Sequence, residues 1–151
     1  MQKKVYTLLI VDDDKDTCRI MSRIFREKGY LVNIAYNGRT ALQRVSQQPY
    51  DLMILDYHLL KEDGLAIFEK TSRIRPFLRT IMISASANEA VKEKAQSLGA
   101  YEFFHKPFDV EHLLSVVKTA LTNQKSRSFK YGMLKDTGEN IGVMVSKKKG
   151  G

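Results

Sequence analysis

Three aspartates in a row, Asp12, Asp13 and Asp14, follow the apolar run LLIV at residues 8–11, and a further aspartate, Asp56, ends the apolar run LMILD at 52–56. Ser84 closes TIMIS, and Lys106 follows soon after YEFF. Carboxylates gathered at the edge of a core repel one another and are destabilising unless a cation sits among them. Oxygen ligands without histidine or cysteine at the ends of these runs favour a hard ion, Mg²⁺ or alternatively Mn²⁺. Magnesium takes one or two carboxylates, keeps waters and shares itself with phosphate oxygens. Lys106 would then balance a second anionic group arriving with the metal, and Ser84 would offer it a hydroxyl. Gathered together, these residues describe a site for a phosphoryl group, with an acid to receive it. Taken singly, each has a plainer explanation: Asp14 as a helix cap, Asp12 and Asp13 as first-turn acids, Asp56 and Ser84 as turn or cap residues, Lys106 as a surface charge.

The joint reading needs a fold that brings the ends of these runs together. Apolar runs at 5–11, 31–35, 51–55, 80–84 and 101–104 read as strands. Amphipathic segments lie between and after them. The first helix spans about 15–28, with Asp14 as its cap and Ile20, Met21, Ile24 and Phe25 on one face; Gly29 stops it. Asn37-Gly38 leads into a helix carrying Ala41, Leu42 and Val45, ended by Pro49. Gly64 opens a helix that turns Leu65, Phe68 and Thr71 inward. Asn88 caps a helix with Val91, Ala95 and Leu98. Asp109 caps one whose stripe is Leu113, Val116, Val117, Ala120 and Leu121. Five β-α units imply parallel pairing and right-handed crossovers. The expected fold is α/β, a flavodoxin-like doubly wound (βα)5 sheet with strand order 2-1-3-4-5 and a short C-terminal extension. Ligands of such sheets bind outside the carboxyl ends of the strands, where Asp12, Asp13, Asp56, Ser84 and Lys106 fall.

These residues resemble those of the receiver domain of bacterial two-component response regulators, over about residues 5–122. The acid pair Asp12-Asp13, the acceptor position Asp56 in LMILDYHLLKEDG, Asp63-Gly64 downstream, Ser84-Ala85, Lys106-Pro107 and the segment AYNGRTAL at 35–42 carry the resemblance. It implies that Asp56 takes a phosphoryl group from a phosphohistidine on a sensor kinase or histidine phosphotransfer protein. Asp13, Asp56 and the backbone carbonyl of His58 would ligate Mg²⁺, with Asp12 holding it mainly through water. Lys106 would pair with the phosphoryl oxygens. Ser84 would report the group's arrival, and the space it leaves would admit Phe103, the switch aromatic. The surface of the fourth helix, fifth strand and fifth helix would then change and signal to a downstream protein. The Lys106-Pro107 bond is expected to be cis. His58 and Ser86 stand where the family tunes phosphate lifetime, although an exposed loop histidine is the plainer reading of His58. This chain departs from the family at Leu60, where proline is common, at Ser84 in place of threonine, and at Phe103 in place of tyrosine.

The 151 residues suit one domain with a real core. One cysteine, Cys18, excludes an internal disulfide and a cysteine-rich metal cage and reads as a packed thiol. With no apolar stretch long enough to span a membrane and no processing site after the first apolar run, the expectation is a cytoplasmic protein. The net charge of +8 is uneven: residues 1–124 hold 18 basic against 15 acidic side chains, and residues 125–151 hold 7 against 2. Residues 1–124 are expected to form the receiver. Residues 125–151 are a basic extension, either a hairpin of 129–134 with 141–145 or a disordered tail. Basic residues are not interleaved with aromatic ones, so nucleic acid is not expected as a partner of this chain alone. Homodimerisation is left open. The first functional expectation is a stand-alone signalling receiver, not an enzyme beyond its own phosphorylation and dephosphorylation. The alternatives are a receiver cut from a larger regulator with an output domain, such as a DNA-binding one, and, below these, an aspartate-nucleophile phosphatase. The phosphatase reading suffers because such enzymes carry a second acid where His58 stands.

Overall fold

The computed structural model describes residues 3–86 and 88–123. Five strands, β1 (Thr7–Val11), β2 (Leu31–Ala35), β3 (Leu52–Asp56), β4 (Arg79–Ser84) and β5 (Glu102–His105), alternate with five helices, α1 (Lys15–Glu27), α2 (Gly38–Gln47), α3 (Gly64–Ile74), α4 (Glu89–Ser97) and α5 (Val110–Thr122). The strands form one sheet in the order β2-β1-β3-β4-β5, all pairs parallel. This is the expected flavodoxin-like topology. The chain divides into two compact units, Met1–Lys118 and Thr119–Gly151, and every candidate site residue lies in the first. The expected hairpin or tail at 125–151 lies outside the described residues.

Central strands carry the core. Every residue of β3 and β4 is buried, as a strand covered on both faces must be. β2 is an edge strand, and its first residue, Leu31, is 58 % exposed. Helix ends follow their caps. Asp14, Asn37, Asp63 and Asn88 each accept a first-turn backbone N–H with the side chain. Gly29 and Gly99 end α1 and α4 at φ of 95° and 101°, backbone that favours glycine.

Two sequence expectations need correction. Val5 is not part of β1: the ladder starts at Thr7, paired with Leu31, and Val5 is 55 % exposed. Hydrophobicity without a hydrogen-bonding neighbour does not make a strand. Ile20 is not on the buried face of α1; it is 54 % exposed, while Cys18, Met21, Ser22 and Phe25 are buried. Ile20 lies one step, about 100°, from Met21, which takes it outside the inward stripe. A further element was not expected. Between β3 and α3, His58–Leu59 pairs antiparallel with Glu62–Asp63 in a two-rung ribbon.

Candidate functional site

Register places the functional residues. Val11 pairs with Leu55, so Asp12 and Asp56 leave the sheet at the same height on neighbouring strands. Asp56 pairs with Ile83, and Ser84 follows one residue on; Ser84 pairs with His105, and Lys106 follows. Four strand ends therefore deliver two carboxylates, a hydroxyl and an ammonium to one rim, and Asp13 follows Asp12.

Lys106 bridges the acids. Its Nζ lies 3.2 Å from Asp56 Oδ2 and 3.4 Å from Asp12 Oδ2. Asp56 and Asp12 are buried, at 7 % and 5 % exposure. Backbone donors hold the other oxygens. The Asp14 N–H donates to Asp12 Oδ1 (2.9 Å), the His58 N–H to Asp56 Oδ1 (3.0 Å) and the Leu60 N–H to Asp13 Oδ2 (2.9 Å). Burial pushes the Asp12 carboxyl up to about 6, and the Asp56 charge adds to this, against the Asp14 N–H and Lys106. Burial opposes the Lys106 charge, but the Asp12 and Asp56 carboxylates outweigh it and raise its pKa.

One ammonium does not balance three carboxylates. Asp12, Asp13 and Asp56 offer carboxylate oxygens that all lie within 4.8 Å of one another. Such a group of hard oxygen donors fits a divalent cation such as Mg²⁺.

Asp14 faces a different task. Its Oδ1 accepts from the Asp16 N–H and its Oδ2 from the Thr17 hydroxyl, capping α1. Ser84 is fully buried, and its Oγ accepts from the Ser86 N–H at 3.2 Å. The Ser86 hydroxyl lies 2.6 Å from His58 Nε2, so the residues after β3 and β4 are tied together. Phe103 is only 6 % exposed, with its ring edge-on to His105; in this structure the aromatic already lies inside. The Lys106-Pro107 bond is cis. Cys18 donates its thiol to the Asp12 carbonyl (3.2 Å), and burial pushes its pKa up to about 12, the state of a packed and unreactive thiol.

Sequence reasoning missed three contacts. The Leu60 amide on Asp13 is a backbone donor, which no residue type announces. Glu62 Oε1 accepts from the Gly38 N–H at 2.8 Å, tying the ribbon to the start of α2. The Cys18 thiol supports the Asp12 backbone. Only Glu62 left a signal, as an acid close to the site acids with no stated use.

A family profile described as response regulator receiver domain matches residues 8–118. The transcriptional regulatory protein ZraR of Escherichia coli K12 is 30 % identical over 119 residues, covering 79 % of this chain and 27 % of ZraR. The DNA-binding transcriptional regulator NtrC of Azospirillum brasilense is 34 % identical over 117 residues, covering 78 % of this chain and 24 % of NtrC. The chain thus spans about a quarter of the length of these curated relatives. The crystal structure of a CheY-like response regulator receiver domain protein from Methanospirillum hungatei JF-1 superposes with a TM-score of 0.78 at 27 % identity, covering 82 % of this chain and 98 % of that one. Sheet order, acid cluster and sequence match agree: this chain belongs to the response regulator receiver domain family.

Proposed function

We propose that Asp56 is the phospho-acceptor of a receiver that takes its phosphoryl group from a phosphohistidine on a sensor kinase or histidine phosphotransfer protein. The observation that carries this reading is the Asp56 carboxylate, buried at the end of β3, with Lys106 Nζ at 3.2 Å and the Asp12 and Asp13 carboxylates beside it. A carboxylate oxygen of Asp56 forms the new bond to phosphorus as the bond to the donor imidazole nitrogen breaks; that nitrogen keeps the electron pair. Mg²⁺ held by Asp12, Asp13 and Asp56, with the His58 carbonyl as a further ligand, would supply charge neutralisation at the phosphoryl oxygens. Lys106 offers a second positive charge on the same side, already aimed at the acceptor. Ser84, one residue beyond the rung of Asp56 and Ile83, offers its hydroxyl proton to the new group while its oxygen still accepts from the Ser86 N–H. Arrival of the phosphoryl group is a local charge event that biases the α4-β5-α5 surface, where a downstream protein would bind. Among the described residues no helix is long and apolar enough to cross a membrane.

The test is phosphorylation by acetyl phosphate with Mg²⁺, read by intact mass, with Asp56→Asn beside the parent. The parent is expected to gain one base-labile phosphate and the variant none. An equal adduct on both, or none on the parent, overturns the proposal.

A second reading has its own support. The curated relatives named above are transcriptional regulators about four times the matched length. On that reading these residues are the receiver of a larger regulator whose output domain acts on DNA. Cells lacking the native protein discriminate: the 151-residue chain restores signalling by itself only if it acts through a protein partner.

A further inference from the structure

We infer that the backbone N–H of Leu60 is a positioning group for the cation site. It holds Asp13 in its ligand orientation, and so ties cation affinity to the closed turn of the ribbon. The inference rests on the reading that Asp12, Asp13 and Asp56 hold a divalent cation.

Leu60 stands out because its side chain is not what the position uses. It is 74 % exposed, beside a buried site. Its amide, by contrast, donates to Asp13 Oδ2 at 2.9 Å across 47 residues of sequence. A hydrogen bond to a charged acceptor is shorter and stronger than one between neutral groups. Of the three carboxylates, Asp12 and Asp56 are both oriented by Lys106. Asp13 receives its orientation from the ribbon. Donors to ligating carboxylates fix which oxygen faces the metal, and their removal commonly costs 10–100-fold in metal affinity.

The turn that carries the amide is itself held at its base. Leu59 pairs with Glu62, leaving Leu60 and Lys61 as the two central residues. Glu62 is tied to the Gly38 N–H, and the Gly64 N–H donates to the Tyr57 carbonyl at 2.8 Å. Lys61 has φ of 62° and Leu60 does not have a positive φ. Positive φ at the second central residue alone is the signature of a type II turn, which accepts proline at its first central position. Leu59 is in a strand, the conformation a following proline demands. Leu60→Pro therefore deletes the donor while suiting the backbone, and Leu60→Ala deletes the side chain while keeping the donor.

The experiment measures Mn²⁺ binding to the full 151-residue chain, by the electron paramagnetic resonance signal of the free ion, for the parent, Leu60→Ala and Leu60→Pro. Leu60→Ala is expected within about twofold of the parent, and Leu60→Pro about tenfold weaker, the low end for a lost orienting donor. A second measurement needs no proline. Hydrogen exchange at the Leu60 amide is expected to speed up at least about tenfold in Asp13→Ala, for one freed exposed bond of roughly 1.4 kcal/mol, and to stay unchanged in Asp14→Ala. Mn²⁺ binding by a folded Leu60→Pro as tight as the parent's overturns the inference. So does an equal loss in Leu60→Ala, or Leu60 exchange that ignores Asp13. A parent that binds no Mn²⁺ overturns the cation reading itself, and this inference with it.

Discussion

The Ser86 hydroxyl and His58 Nε2 lie 2.6 Å apart, joining the residues that follow β3 and β4. The link closes a circuit. The His58 N–H holds Asp56 Oδ1, and the Ser86 N–H holds Ser84 Oγ, so the Asp56 carboxylate and the Ser84 hydroxyl are connected through two exposed side chains. On the proposed function, such a bridge would narrow the route by which water reaches a phosphoryl group on Asp56. Ser86→Ala should shorten the phosphate lifetime several-fold and cost stability by only about 0.5–1 kcal/mol, since the lost bond is exposed. Two groups acting as one bridge are not additive, so His58→Ala with Ser86→Ala should do no more than either alone. Decay of the phosphorylated mass after donor removal reads both; additive effects or a longer lifetime in Ser86→Ala would count against the bridge.

Lys106 is the only cation placed against both Asp12 and Asp56 in the ion pairs of the described residues. Lys106→Met leaves two buried carboxylates facing each other. Breaking a fully buried pair costs about 3–5 kcal/mol, and a lysine side chain 27 % exposed warrants about half of that. The loss should shrink when Mg²⁺ is added, because a cation bound only by the folded state stabilises it in proportion to its occupancy. Urea denaturation with and without Mg²⁺ checks this; a destabilisation indifferent to Mg²⁺ would show that packing of the lysine stem dominates.

The site was legible because its chemistry sits where apolar runs stop. LLIV before Asp12 and LMIL before Asp56 mark both the strand and its end, and parallel pairing does the rest. Alternation of strands and helices implied the parallel sheet, and five units made the flavodoxin-like strand order the leading choice. What stayed hidden depends on the backbone or on geometry finer than a hydrophobic pattern. HLLKED, residues 58–63, has no strand periodicity, and two rungs are too short to show one. The Leu60 amide leaves no mark in a residue name. Ile20 looked like core because Met21 beside it is core; one step around a helix separated them. Val5 is apolar enough for a strand but has no partner there.

Asp12 makes the metal-free protein sensitive to pH in an unusual direction. Its carboxyl is raised from 3.8 to about 6 in the folded protein, mainly by burial. Between those values the folded state holds a proton that the unfolded state has released. Stability therefore falls as pH rises from about 4 to about 6, by up to 2–3 kcal/mol at roughly 1.4 kcal/mol per pKa unit. Asp14, lowered by its bonds to Thr17, works the other way: its contribution is present above 3.8 and is lost below it. Asp12→Asn should flatten the slope between pH 4 and 6 and leave the acid limb below pH 4. Mg²⁺ should also flatten it, by favouring the ionised carboxylate. Denaturant midpoints across pH 3.5–7 in chelator, for parent and variant, test the sign; a parent whose stability rises through this window contradicts it.

Two glycines near the ribbon should respond differently to the same substitution. A Cβ on Gly64 would meet Tyr57 Cα at 2.6 Å, the Asp56 carbonyl oxygen at 2.7 Å and the Tyr57 carbonyl oxygen at 2.9 Å. All three are backbone, one on Asp56 itself and two on Tyr57 next to it in the chain. A Cβ on Gly38 would crowd the end of the Ile67 side chain and Glu62 Oε2, both on rotatable arms. Overpacking costs about 1–3 kcal/mol, more where nothing can yield. Gly64→Ala should therefore lie at or above the top of that range and also slow phosphorylation, because relief must come from moving the chain around Asp56. Gly38→Ala should fall near the bottom, with phosphorylation nearly intact. Denaturation midpoints and acetyl phosphate rates, measured on both variants, separate the two; equal losses of rate would mean that strain at the ribbon reaches Asp56 from either side.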